Sequence, residues 1–310
     1  ISKDYNILHS EVSTQTIHRK YGGVVPEIAS REHEKLLNDM IHYTLSKVKI
    51  LKSEIEGIAV TQGPGLAGTL ITGVSFAKGL ASGLKCDIIG VNHLEAHIFA
   101  NFLADPNLEY PFICLLVSGG HTQIWLVKGL RDYKLMGETR DDAAGEAFDK
   151  GARILGLGYP GGPEIEMLSK KGDEKSIVFP KALMQNKNLE FSFSGIKTSL
   201  LYYIESHEVL CKEDVAASYQ AAIIDTLITK LKWAMDKTNC KTCVIAGGVA
   251  ANKRLRKFVK QKIKNEKVIF PKLSLCTDNA AMIAYLGELY LRRGYSSKID
   301  FPVLPNMKLA

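Results

Sequence analysis

Short apolar runs alternate with helix-like segments along the chain, and this alternation constrains the fold more than any other feature. Residues 58–61 and 87–91 are strand-like, and each precedes a segment with helical spacing of apolar residues. Residues 243–246 form another apolar run, which leads into Gly247, Gly248 and a basic helical segment. Strands that alternate with helices are typical of α/β domains. The sequence therefore predicts an α/β fold.

The period of this pattern changes near the middle of the chain. Residues 112–117 and 123–127 are strand-like and are separated by the sequence Ser-Gly-Gly-His-Thr at 118–122. A short glycine-containing break between two strands predicts a β-hairpin. Residues 143–155 and 215–235 then show helical spacing, and the second segment predicts a long helix.

Length, charge and cysteine content narrow the class of protein. A chain of 310 residues suggests two domains at roughly 150 residues each. The net charge of +7 permits a nucleic-acid or nucleotide partner without requiring one. No apolar run approaches the ~18 residues of a membrane span, and the six cysteines are scattered, as in reduced proteins. We therefore expect a cytoplasmic protein that does not associate with membranes.

Two histidines are spaced as metal ligands would be on a helix. His93 and His97 are four residues apart, so both imidazoles can bind one divalent metal. Two histidines that are packed or solvated at a helix start remain an alternative. In zinc peptidases the glutamate directly follows the first histidine, whereas Glu95 lies roughly 200° around the helix and points away. A third ligand must come from elsewhere, and Asp278 is the best distant oxygen donor.

Two glycine turns have the composition of phosphate-binding turns. Residues 118–122 and 246–252 each follow an apolar strand, and successive backbone N–H groups in such turns can bind an anion. An ordinary hairpin is the alternative for the first turn. Two such turns in two α/β halves suggest a nucleotide held between lobes. Residues 63–68 match G-x-G-x-x-G, but Asn92 stands where a dinucleotide site needs an acid, which favours a tight packing turn.

Acidic and basic residues near these turns suggest further contacts with a ligand. Asp149 can accept hydrogen bonds from ribose hydroxyls, while Gly161 and Gly162 bring backbone close to the sugar. The segment 252–264 is rich in lysine and arginine, and it either contacts a polynucleotide backbone or forms a solvated helix face.

The motifs occur in one order that resembles a known family. They are H-x-E-x-H at 93–97, V-S-G-G-H-T at 117–122, D-D-A-A-G-E-A-F-D-K at 141–150, Y-P-G-G-P at 159–163, F-S-F-S-G at 191–195, A-G-G-V-A-A-N at 246–252 and C-T-D-N-A at 276–280. Together they closely resemble the bacterial TsaD (Gcp) family of tRNA N6-adenosine threonylcarbamoyltransferases. The resemblance implies an actin/Hsp70/sugar-kinase-like (ASKHA) fold, with two RNase H-like lobes around a nucleotide and metal cleft. It implies an N-terminal lobe of residues 1–110 completed by 285–310, and a C-terminal lobe of residues 111–284.

The resemblance also assigns roles to individual residues. It implies one divalent metal, with Fe²⁺ favoured and Zn²⁺ possible, held by His93, His97 and Asp278. It implies that the substrate and its nucleotide are bound by Leu116, Val117, Ser118, Gly119, Gly120, Asp149, Gly162, Glu166 and Asn252. The family usually has Asp where this chain has Glu166. Leu116 replaces a tyrosine of the archaeal and eukaryotic relatives, which indicates the bacterial type. No catalytic residue is assigned.

The reaction implied by the resemblance is a metal-dependent acyl transfer in tRNA processing. The threonylcarbamoyl group passes from threonylcarbamoyl-AMP to N6 of adenosine 37 in ANN-decoding tRNAs, by direct attack of the adenine amine. TsaB and TsaE are the implied partners, and TsaC supplies the adenylate.

One departure from the family leaves other readings open. The family's first strand and its G-I-E-T-S-C-D-E-T motif have no match here, so we expect the first lobe to lack that strand. An inactive nucleotide-binding scaffold subunit and a metallopeptidase are the alternatives.

Overall fold

The computed structural model describes residues 1–209 and 211–309, which form two compact units. The first unit comprises residues 1–103 and 278–309, and the second comprises residues 104–277. Within the described ranges, no helix is long and apolar enough to cross a membrane.

Strands and helices alternate along most of the chain. The strands are β1 (Ser2–Lys3), β2 (Asn6–Ile7), β3 (Gly57–Gly63), β4 (Asp87–Asn92), β5 (Phe112–Val117), β6 (Thr122–Gly129), β7 (Asp132–Glu138), β8 (Thr242–Ala246) and β9 (Lys267–Ile269). The helices are α1 (Pro26–Val48), α2 (Ala67–Leu84), α3 (His93–Phe99), α4 (Ala144–Ile154), α5 (Gly161–Ser169), α6 (Ser194–Glu205), α7 (Lys212–Thr238), α8 (Lys253–Lys262) and α9 (Ala280–Leu291). Short 3₁₀ turns cover Thr16–Tyr21, Lys52–Glu54, Gly248–Ala251 and Leu273–Leu275.

In the first unit, α3 follows directly from a parallel pair of strands. β3 and β4 pair in parallel, with Gly57 opposite Asp87 and Thr61 opposite Val91. The apolar side of α2 packs on this pair and forms a core with Phe301. At the end of β3, a Cβ atom on Gly63 would lie 1.9 Å from the Leu304 carbonyl oxygen, so the G-x-G-x-x-G segment is a packing turn.

The second unit is built on a five-stranded sheet in the order β7-β6-β5-β8-β9. β5 and β6 are antiparallel, which confirms the predicted hairpin, while β5, β8 and β9 run parallel. The predicted long helix is α7, whose apolar residues lie in the largest buried cluster. The sheet of this unit therefore contains both an antiparallel hairpin and parallel strands, as the change of period in the sequence predicts.

Both glycine turns lie in the second unit, at the same end of its sheet, where β5 and β8 finish. Leu116 at the end of β5 is paired with Ala246 at the end of β8, so the two turns follow neighbouring parallel strands. Gly247 has φ +88°, and a Cβ there would lie 2.3 Å from the Val117 carbonyl oxygen. The prediction that the turns belong to two different halves is wrong, because the long connection through α7 returns the chain to the neighbour of β5.

Candidate functional site

His93, His97 and Asp278 come together in the first unit. The Nε2 atoms of His93 and His97 lie 3.3 Å and 3.5 Å from Oδ1 of Asp278. The two imidazole rings are edge to face, with centroids 4.7 Å apart. All three candidate ligand atoms lie within 4.8 Å of one another. The structure therefore groups the histidine pair with the distant carboxylate.

The N-caps of helices α3 and α9 fix the backbone positions of His93 and Asp278. Asn92 ends β4, and its side chain accepts hydrogen bonds from the Leu94 and Glu95 N–H groups, so α3 begins at His93. Asn279 caps α9 in the same way through the Met282 N–H. Asp278 is therefore the last residue before the cap of α9, just as His93 is the first residue after the cap of α3.

Electrostatics favour the protonation states that a metal requires. Hydrogen bonds from His93 and then His97 hold the pKa of Asp278 well below its usual range, so the carboxylate is ionised. Burial lowers the pKa of His97 despite its hydrogen bond with Asp278, so this imidazole is neutral at pH 7. Ligands must be deprotonated to bind a metal, and both groups meet that condition.

The donor set fits a divalent transition metal. Two imidazole nitrogens and one carboxylate oxygen suit Zn²⁺ or Fe²⁺ and leave coordination positions for a substrate. Nδ1 of His97 is buried without a hydrogen-bond partner in the described parts of the chain. Among the described residues, the polar contact of this ring is therefore made through Nε2, on the side of Asp278.

Glu95 is directed away from the histidine pair, as its helical position predicts. It is 5% exposed, and its Oε1 accepts a hydrogen bond of 2.5 Å from the Tyr290 hydroxyl on α9. Glu95 thus joins α3 to α9 inside the first unit. A metallopeptidase reading therefore lacks its expected general base.

The turn after β5 exposes backbone rather than side chains. The Ser118 N–H donates to the His121 carbonyl, and the His121 N–H donates to Oγ of Ser118, which closes the turn. Gly119 and Gly120 are exposed, whereas the side chains of Leu116 and Val117 are fully buried. Any contact of these two strand residues with a ligand must therefore use their backbone.

Asp149 lies against the start of α5. Its Oδ1 accepts a hydrogen bond of 2.7 Å from the Gly161 N–H. Burial raises the pKa of this carboxyl, while the Gly161 hydrogen bond and a weaker one from the Gly162 N–H act in the opposite direction. The carboxylate and the first residues of α5 thus form one unit, and Gly162 lies beside it.

Asn252 has a structural role that the sequence analysis missed. Its Oδ1 caps α8 by accepting from the Leu255 N–H, and its Nδ2 donates to Oε1 of the buried Gln220 on α7. The signal was available, because asparagine just before a helix is a typical N-cap residue. No local pattern indicated Gln220. Glu166 lies nearby and accepts from the Lys253 N–H at 3.3 Å.

A cavity of about 290 Å³ lies among α5, α7 and α8, and Glu166 and Gln220 line it. Asn252 donates to Gln220, which lines the cavity, and Glu166 accepts from the N–H of Lys253, which also lines it. All of these residues belong to the second unit.

The basic residues of helix α8 fall into two groups: some bind other groups of the protein, and others are exposed to solvent. The spacing of Leu255, Val259 and Ile263 predicts an inward apolar stripe on a helix, and the burial of all three residues confirms it. Arg254 donates to Glu174, so it is not available to a polynucleotide. Arg256 donates to the carbonyl oxygens of Ala250 and Pro271 and to Sγ of Cys276. The guanidinium groups of Arg254 and Arg256 therefore bind groups within the second unit rather than forming part of a solvated helix face.

The family model and the curated relatives that match this sequence carry the same description. The family described as "TsaD: tRNA N6-adenosine threonylcarbamoyltransferase" matches residues 6–285. The chain is 50% identical over 315 residues to the tRNA N6-adenosine threonylcarbamoyltransferase of Thermosipho africanus (strain TCF52B), covering 100% of this chain and 95% of the relative. The protein of the same name from Kosmotoga olearia is 48% identical over 312 residues, covering 100% and 94%.

Solved structures with the same fold are more distant in sequence. Full-length HypF in its phosphate- and nucleotide-bound form matches with a TM-score of 0.59 at 13% identity, covering 81% of this chain and 41% of that chain. T. kodakarensis HypF matches with a TM-score of 0.60 at 14% identity, covering 83% and 44%. The expected actin/Hsp70/sugar-kinase-like α/β fold is confirmed by these similarities together with the family match.

Proposed function

The chain belongs to the TsaD family of tRNA N6-adenosine threonylcarbamoyltransferases, and we propose how its own residues carry out that transfer. The enzyme is an acyltransferase that forms threonylcarbamoyl-adenosine at position 37 of tRNA. The observation that carries the proposal is the cluster of His93, His97 and Asp278, whose ligand atoms lie within 4.8 Å of one another. These residues would hold one divalent metal, with Fe²⁺ favoured and Zn²⁺ possible.

The donor in this proposal is threonylcarbamoyl-AMP. The N6 amine of the adenine forms a bond to the carbamoyl carbon, and the bond from that carbon to the phosphate oxygen breaks. AMP leaves with the bonding electron pair, and one N6 proton passes to water. This step requires no protein nucleophile, and no residue of the chain is assigned as one.

The first unit contributes ligands in the required protonation state. His97 supplies a neutral imidazole, His93 a second ring and Asp278 an ionised carboxylate. When bound, the divalent metal would supply a Lewis acid that polarises acyl and phosphate oxygens of the donor. The inward position of Glu95, bound to Tyr290, supports acyl transfer over peptide hydrolysis.

The second unit contributes the nucleotide contacts. The N–H groups of the exposed residues Gly119 and Gly120 would bind the donor phosphate, because these residues lie in a turn at the carboxyl end of β5. Asp149 and Gly162 at the start of α5, with Glu166 and Asn252 beside the 290 Å³ cavity, would hold the nucleoside. Ligands in open α/β sheets bind at this edge, which supports the assignment.

A direct transfer assay tests the proposed function. The purified chain is incubated with threonylcarbamoyl-AMP and an unmodified ANN-decoding tRNA, alone and with TsaB and TsaE, and the tRNA nucleosides are separated by chromatography. We expect threonylcarbamoyl-adenosine with the wild type, and at least a 100-fold slower reaction with His97→Ala. Metal content by mass spectrometry gives a readout that does not depend on activity.

His207→Ala is the matched control, since His207 is exposed and hydrogen-bonds only near its own helix. It should keep metal and activity. A His97→Ala protein that kept stoichiometric metal would contradict the ligand assignment. Wild-type protein that bound metal and nucleotide but formed no product, with or without TsaB and TsaE, would favour the inactive scaffold.

A further inference from the structure

One side of α8 presents a row of lysines, defined here as Lys253, Lys257, Lys260 and Lys264. The first three lie on α8, and the fourth lies in the segment just after it. At 100° per residue, the side chains of Lys253, Lys257 and Lys260 project within roughly 60° of one another around α8. All four residues are exposed.

The buried side of α8 fixes the direction of this lysine row. Leu255 and Val259 are fully buried and lie on the opposite side of the helix. The N-cap hydrogen bond, which Oδ1 of Asn252 accepts from the Leu255 N–H, holds the first turn in place. The lysine row must therefore face solvent, because the opposite stripe is packed into the second unit.

The lysine row is not neutralised by the protein. Among the described residues, no carboxylate oxygen lies within the 4.0 Å of an ion pair from any of the four ammonium groups, and α8 contains no acidic residue. The nearby carboxylates are already engaged. Glu174 pairs with Arg254, and Asp225 pairs with Lys181 and Lys262. Glu166 accepts from the Lys253 backbone.

We propose that the lysine row binds the phosphate backbone of the tRNA substrate. The inference rests on the proposed function for the identity of the polyanion. From Lys253 to Lys260 the row extends roughly 10 Å along α8 at 1.5 Å per residue, and Lys264 follows just beyond the helix, so the row can contact successive phosphates of a polynucleotide backbone. Flexible ammonium groups suit phosphate contacts that position a polynucleotide without reading its sequence.

The position of the row supports this partner over a free nucleotide. α8 begins directly after the 247–252 turn, which belongs to the proposed nucleotide site, so the row extends outward from it along the surface. Lys253 and Lys257 line the 290 Å³ cavity, whereas Lys260 lines a separate cavity with Asp105 and Phe270. A ligand that contacts the whole row must therefore be long.

Binding of unmodified tRNA without donor tests the proposal. The variant carries Lys257→Gln, Lys260→Gln and Lys264→Gln and keeps Lys253. Because Lys257 also lines the 290 Å³ cavity, the comparison is made on tRNA binding alone. We expect a Kd for tRNA that is roughly 30- to 100-fold weaker at 0.15 M salt. The slope of log K against log salt should be shallower by about 2 to 3. The corresponding triple arginine variant should bind as tightly as the wild type.

The matched control carries Lys128→Gln, Lys134→Gln and Lys187→Gln, which remove three exposed lysines near the other edge of the same sheet. It should bind tRNA within about threefold of wild type. Wild-type affinity and salt slope in the Lys257, Lys260 and Lys264 variant would overturn the proposal, as would equal losses in the control. A wild type that binds tRNA but does not transfer would contradict the proposed function and leave the lysine row supported.

Discussion

Lys230 is a lysine whose side chain is withdrawn from solvent at the centre of the second unit. It is 0% exposed on α7, and its Nζ donates to the carbonyl oxygens of Leu183 and Asn188 at 2.7 and 2.8 Å. Burial lowers its pKa to about 8, and the nearby Glu190 only partly offsets this. One ammonium group thus holds a long irregular segment against α7.

This burial predicts a pH dependence of stability. The folded pKa is below that of the unfolded chain, so the unfolded state binds more protons between about pH 8 and 10.5. The contribution of Lys230 to the free energy of unfolding should therefore rise with pH in this window. We expect wild type to gain about 1 to 2 kcal/mol relative to Lys230→Met between pH 7.5 and 9.5, measured by urea unfolding.

Lys232→Met is the control for Lys230, because Lys232 is exposed on the same helix. Its free energy of unfolding should differ from that of the wild type by the same amount at each pH. Curves for wild type and Lys230→Met that stayed parallel across the window would contradict the lowered pKa.

At the scale of elements, Arg256 joins segments that follow two parallel strands. It starts from α8, binds Ala250 in the turn after β8, and binds Pro271 and Cys276 in the segment after β9. Its guanidinium also lies 4.8 Å from the ring centroid of Phe270. The candidate nucleotide turn is thus held by a side chain on the helix that follows it.

Loss of the Arg256 guanidinium should destabilise the segments that follow β8 and β9. Arg256→Met leaves two carbonyl oxygens without their donor, and we expect a loss of about 2 to 4 kcal/mol in the free energy of unfolding. Arg256→Lys should recover part of it, since an ammonium can reach only some of these acceptors. Urea unfolding provides the measurement. Arg256→Met that lost no more than Lys260→Met, a change at an exposed position of α8, would show that these contacts contribute little.

The elements also show what periodicity can predict. The hairpin of β5 and β6, the helix α4 and the inward stripe of α8 were predicted correctly, because each depends on residues close in sequence. Helical spacing after β4 predicts a helix through His93 to Leu103, but α3 ends at Phe99 and residues 100–103 form turns. In the sequence, Arg254 and Arg256 cannot be distinguished from arginines that are exposed to solvent. Only their contacts in the structure show that they bind other groups of the protein.

For the whole molecule, the two groups of candidate site residues lie in different units. His93, His97 and Asp278 belong to the first, while the glycine turns, Asp149 and Asn252 belong to the second. Each group should therefore respond to its own ligand. A ligand that binds only the folded state stabilises the elements that hold it.

Hydrogen exchange can measure these two responses separately. We expect Zn²⁺ alone to slow exchange in α3 and at the start of α9, and AMP alone to slow it in residues 118–122 and 247–252. His97→Ala should abolish the response to Zn²⁺ and keep the response to AMP. Protection of 118–122 by Zn²⁺ alone, without protection of α3, would contradict the assignment of the metal to the first unit.

The sequence by itself determined the alternation of elements, the i, i+4 spacing of His93 and His97 and, through its set of motifs, the family. These features follow from local periodicity and residue chemistry. Only the tertiary structure decided that Asp278 meets the histidines, that both glycine turns share one edge of one sheet, and that Arg256 turns inward. Such contacts join residues far apart in the chain, because strand pairing and helix packing are selected by burial of the whole core rather than by any short segment.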